Sequence, residues 1–88
     1  MEKVKFEKLE KLYLSANLIE NINIFKKVNF KELKILDLSF NNISDIKVLE
    51  NVKFEKLEEL DLRWNKIDLS KYNLLISKLR ALINNFMI

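Results

Sequence analysis

Apolar positions and asparagines recur along this chain in one fixed phrase. Leu9, Leu12, Leu14, Asn17 and Ile19 return 24 residues on as Leu33, Leu36, Leu38, Asn41 and Ile43, and again as Leu57, Leu60, Leu62, Asn65 and Ile67. The frame continues between the phrases, where Ile19, Ile22, Phe25, Val28, Phe30 and Leu33 are matched by Ile43, Ile46, Leu49, Val52, Phe54 and Leu57. Within Leu12-Tyr13-Leu14, Leu36-Asp37-Leu38 and Leu60-Asp61-Leu62 the alternation has a period of two, which predicts three short strands with their leucines on one face. The pattern changes after Ile67. Ser70 stands where Ile22 and Ile46 stood, and Tyr72, Leu75, Ile76, Leu79, Leu82, Ile83 and Phe86 follow at spacings of three and four. That spacing predicts an amphipathic helix over about residues 70–86. Asp68 or Ser70 is its expected N-cap, with Asn84 or Asn85 near its end.

A period between 20 and 29 residues carrying an L-x-x-L-x-L-x-x-N-x-I frame is the mark of a leucine-rich repeat solenoid. Over residues 4–67 the chain resembles that family, and within it the short intracellular repeats that include the regulatory subunits of protein phosphatase 1. The resemblance implies an α/β solenoid in a single domain over residues 1–88, with repeats at about 9–32, 33–56 and 57–70. Three short parallel strands form the concave face, and the C-terminal helix caps the stack. One repeat cannot bury its leucines alone, so stability comes from stacking. The resemblance also implies that Asn17, Asn41 and Asn65 form a structural ladder, bonding backbone groups that the turn after each strand leaves unpaired. It implies a protein-interaction scaffold but not phosphatase binding, for which no surface motif stands in this chain.

The N-terminal stretch from Glu2 to Leu9 matches Glu50 to Leu57 closely, so the chain opens partway through a repeat. Either Val4 and Phe6 serve as a minimal cap, or the edge of the first strand is open. An open edge predicts a homodimer through the N-terminal end.

Composition removes several classes of function. The 88 residues contain no His, no Cys, no Gly and no Pro. Without His or Cys there is no Ser-His pair, no cysteine nucleophile and no ordinary zinc site. Without Gly there is no phosphate-cradling loop. No catalytic residue, cofactor or metal ligand is assigned, and the chain reads as a non-enzyme. Asp37 and Asp61 are the one carboxylate pair to consider, and they lie on an open sheet rather than in a cleft. Tight turns are left to Asn and Asp, the other residues that tolerate left-handed backbone. No apolar run approaches the ~18 residues of a membrane span, and the charged start does not read as a signal peptide. The absence of cysteine points to a cytoplasmic setting. Net charge is +3, yet the lysines are spread between the strands and alternate with Glu. That describes a solvated face of mixed sign rather than a nucleic-acid surface.

Residues between and after the inward leucines form the candidate site. Read across the repeats they make columns: Lys11, Ile35 and Glu59; Tyr13, Asp37 and Asp61; Ser15, Ser39 and Arg63; Ala16, Phe40 and Trp64. Asp37 and Asp61 are expected side by side, an arrangement of like charges that costs stability. Phe40 and Trp64 are expected as adjacent rings at the sheet margin, and exposed aromatics are favoured interface anchors. The functional reading is a concave strip of Lys11, Tyr13, Ile35, Asp37, Phe40, Glu59, Asp61, Arg63 and Trp64 that binds a basic protein partner. The structural alternative is that Asp and aromatic residues at these places serve the fold alone. A second function, as the end piece of a longer repeat array with a structural or self-associating role, fits the mid-repeat start.

Overall fold

The computed structural model describes residues 8–88, and within them four three-residue strands pair into one parallel sheet. They are β1 (Lys11–Tyr13), β2 (Ile35–Asp37), β3 (Glu59–Asp61) and β4 (Asn85–Met87), in that spatial order. The register sets Leu12 beside Leu36, Leu36 beside Leu60, and Leu60 beside Phe86. Leucines 24 residues apart therefore meet on adjoining strands and close one dry interior. Leu36, Leu38, Ile43, Ile46 and Leu60 have no exposed surface, and burial of each such side chain contributes about 1.5–3 kcal/mol.

On the side away from the sheet, the first two repeats return through short 3-10 segments, Asn23–Lys27 and Lys47–Glu50. Each is opened by an acidic or amide side chain turned onto its own backbone. Asn21 Oδ1 accepts from Asn23 N at 2.8 Å, and Asp45 Oδ1 accepts from Lys47 N at 2.9 Å. Such local bonds favour turns over longer helix. Phe25, Val48 and Leu49 point inward from these segments. The Phe30 ring lies edge-on to Phe25 at 5.5 Å and stacks on Phe54 at 6.0 Å, tying successive repeats together.

The third repeat returns through a true helix, α1 (Asn73–Leu82). Leu75, Ile76 and Leu79 are its buried stripe. The helix is shorter than the expected 70–86 at both ends. Tyr72 precedes it and makes no side-chain cap bond, while Asp68 instead accepts from Ser70 N and Lys71 N in the preceding turn. At the other end Ile83 turns extended, and Asn84 and Asn85, weak helix formers, give way to β4. The sheet thus has four strands where three were expected. Phe86 is buried as expected, but from a strand rather than a helix. Asn85 N donates to Glu58 O and Leu62 N donates to Met87 O, the ladder bonds that outweigh another turn of helix.

A second correction concerns the turns. Among the described residues those with left-handed backbone are Ala16, Leu18, Phe40 and Trp64, not Asn or Asp. Three of them, Ala16, Phe40 and Trp64, directly precede a ladder asparagine, and Leu18 follows one. Val4 and Phe6 lie outside the described residues, and the question of an N-terminal cap lies there with them.

Candidate partner-binding face

The sheet register brings the predicted columns together and lengthens them by one strand. Lys11, Ile35, Glu59 and Asn85 stand abreast, as do Tyr13, Asp37, Asp61 and Met87. Backbone pairing runs on past the strands: Ala16 N donates to Ser39 O at 3.1 Å, and Phe40 N to Arg63 O at 3.0 Å. This extension keeps Ser15, Ser39 and Arg63, and then Ala16, Phe40 and Trp64, in line.

The asparagines sit beneath that line. Asn41 is 5% exposed. Its carboxamide oxygen accepts from Asn17 N and Ile19 N, both at 2.9 Å, and its nitrogen donates to Leu14 O, Leu38 O and Ser39 O. Asn65 repeats the arrangement one coil on, accepting from Ile43 N and donating to Leu38 O, Leu62 O and Arg63 O. Asn17 is exposed, and its side chain donates to Ser15 O. These bonds join neighbouring coils and fix the turn that presents the aromatic column.

The two aspartates are neighbours, and the sequence pattern alone does not reveal how their repulsion is relieved. Asp61 is 6% exposed. Arg63 grips it in a two-point pair, Nε to Oδ1 at 3.0 Å and Nη2 to Oδ2 at 2.9 Å, with Arg63 N also donating to Oδ1. The guanidinium hydrogen bond holds the Asp61 carboxyl below the usual carboxylate range, against the opposite pull of burial. Asp37 is satisfied more weakly, by Ser39 N at 3.0 Å and Ser39 Oγ at 2.6 Å. Glu59 accepts from Asn85 Nδ2 at 2.9 Å. Arg63 feels the charges of Asp37 and Glu59 as well as that of Asp61. Of these three carboxylates Asp61 alone bonds the guanidinium, and among the described residues Asp37 and Glu59 have no bonded cation.

Beside this acidic centre, the Phe40 and Trp64 rings stack at 5.7 Å and 20° while remaining 57% and 68% exposed. Both residues hold positive φ, 55° and 62°, a conformation that costs a bulky side chain about 1–2 kcal/mol. Stacking offsets part of this, at about 0.5–1.5 kcal/mol for such a pair.

Past Trp64 the chain forms a groove of about 140 Å³ lined by Leu62, Trp64, Asn65, Ile67, Leu69 and Ile88. Leu69 and Ile88 were absent from the residues expected to make the site, as were Asn85 and Met87. The signal for Asn85, Met87 and Ile88 lay in a spacing of 26 rather than 24, by which Leu60 and Leu62 map onto Phe86 and Ile88. Among the described residues no group of His, Cys, Asp and Glu is placed to hold a metal ion, and no helix is long and apolar enough to cross a membrane.

A family model described as Leucine rich repeat matches residues 7–67, and a second, described as Leucine Rich Repeat, matches residues 56–85. No curated protein and no solved structure matches the chain.

Proposed function

The chain belongs to the leucine-rich repeat family, whose domains are generally protein-interaction modules, and from that premise we propose that it binds a basic protein partner on its concave sheet face. The observation that carries this reading is the charge imbalance at the centre of the face. Asp61 is paired with Arg63, Asp37 and Glu59 stand on the same face with their charges felt by that one guanidinium, and an exposed aromatic stack stands beside them. Asp61 is nearly buried while Arg63 is half exposed, so the pair serves the fold by covering a carboxylate that would otherwise be stranded. Asp37 and Glu59, half-buried and without an ion-pair partner among the described residues, are the groups left to meet a cation, and charge complementarity of this kind steers association. The cysteine-free composition supports a cytoplasmic setting for that partner.

The test is affinity capture from a cognate lysate with the wild-type chain and with the double variant Asp37→Lys, Glu59→Lys. Asp61 is left in place so that the fold survives, which a far-ultraviolet circular dichroism spectrum checks. Capture is expected to be lost in the double variant. Equal capture by both folded proteins contradicts the reading.

Self-association through β1 is a second reading. It is favoured by the position of β1, which pairs only with β2 among the described residues, and by the exposed Tyr13 beside that edge. Light scattering across a wide concentration range decides it, a constant monomer mass counting against the dimer.

A further inference from the structure

We propose that the groove beyond Trp64 is an aliphatic-anchor pocket, and that the partner segment is amphipathic: one Lys or Arg over Asp37 and Glu59, and one Leu, Ile or Met in the groove. The inference rests on the concave-face reading and sharpens it.

The size of the groove selects the occupant. At about 140 Å³ it falls well below the roughly 300–1,000 Å³ of small-molecule sites, while a single side chain needs far less room. Five of its six lining residues are apolar, with Asn65 the exception. Leu62 forms the floor, fully buried, and Trp64 and Leu69 stand as exposed flanks, 68% and 54% accessible. Ile67 and Ile88 complete the lining. The Asn65 amide, the one polar side chain of the lining, is already engaged by the ladder, so the side chains on offer to an occupant are apolar.

Charge complementarity says what accompanies the anchor. The acidic centre is continuous with the groove through the run Asp61, Arg63, Trp64 on one strand and its exit turn. Asp37 stands level with Asp61, three positions before Trp64, a span of at most about 10 Å at about 3.3 Å per extended residue because the chain leaves the strand at Asp61 and turns at Trp64. An extended segment laid along β3 therefore places its cation and its anchor two to three residues apart. The Trp64 ring lies between them, and its face also suits a cation. A purely basic segment leaves the groove unfilled, and a purely apolar one leaves Asp37 and Glu59 unanswered.

Trp64 is the chain's single tryptophan, so its emission reports occupancy of the groove directly. The probes are three synthetic peptides: one carrying Arg-Ser-Ser-Leu between serine flanks, one with the leucine replaced by serine, and one with the arginine replaced by serine. Titrated to millimolar concentration, the first is expected to blue-shift the emission and to bind at least tenfold more tightly than either control. Leu69→Glu, at an exposed position, is expected to remove that advantage over the leucine-free peptide and leave the leucine-free peptide's affinity within twofold. Equal binding of the first two peptides by wild type, or no binding of any peptide, overturns the anchor. The two failures separate cleanly. If Asp37→Lys, Glu59→Lys weakens binding while Leu69→Glu does not, the anchor alone fails; if neither variant changes binding, the concave-face reading fails with it.

Discussion

Asn41 shows how much of this fold depends on single side chains. It joins two backbone segments, residues 14–19 and 38–39, while almost wholly buried. Truncation leaves several of those groups without partners, at about 1–3 kcal/mol for each that water cannot reach. Asn41→Ala is therefore expected to lower unfolding free energy by about 2–4 kcal/mol in urea titration, and Asn17→Ala, at the exposed end, by less than about 1 kcal/mol. Equal losses would contradict a ladder anchored at its centre. The residue before each ladder asparagine makes an opposite prediction. Ala16 holds φ at 58°, where glycine has no steric penalty. Ala16→Gly is expected to raise stability by up to about 1 kcal/mol, since strain relief exceeds the added unfolded-state entropy. A lower urea midpoint would show that the turn is not strained. The asparagines were legible from sequence because their spacing repeats without a break. The left-handed positions were not, because Ala, Phe and Trp carry no such preference of their own. The turn imposes it on them.

At the scale of elements, β1 to β3 and α1 were legible and β4 was not. Leucines alternating at a period of two specify a strand whichever partner it finds. Ile83 and Phe86 fit both the helical stripe and a fourth strand, and only long-range pairing with Glu58 O and Leu62 N decides between them. Strand β3 also carries the pH dependence. Arg63 holds the Asp61 carboxyl below its ordinary range. A carboxyl depressed in the folded state stabilises fully above its unfolded value, and that contribution fades as pH falls through the folded value. The loss therefore falls below about pH 4. Asp45, held down first by the Lys47 backbone N–H and then by the Tyr72 hydroxyl, adds to the same acid limb. In Arg63→Ala the acid unfolding midpoint is expected to rise, while a Lys78→Ala control on the exposed side of α1 stays put. An unmoved midpoint in Arg63→Ala would mean the pair contributes nothing to the fold.

At the scale of the whole molecule, the limits come from size. The described residues measure 34 × 27 × 20 Å, and four strands ~4.8 Å apart make a sheet face about 14 Å across. Such a strip takes one extended segment rather than a broad domain surface, so binding is expected to be transient and steered by charge. Moving from ~0.01 M to ~1 M salt shortens the screening length from about 30 Å to about 3 Å, and affinity for the basic partner is expected to fall steeply over that range. The architecture was legible at this scale because a repeat multiplies one weak signal. The groove was not, because it forms where the third coil meets a strand that the repeat spacing does not predict. Hydrogen exchange on the captured complex tests the concave-face claim most directly. Protection is expected at residues 35–37, 59–61 and 63–65, with 23–27 and 47–50 unchanged. Protection confined to those two outer segments, with the strands exchanging as in the free protein, would contradict it.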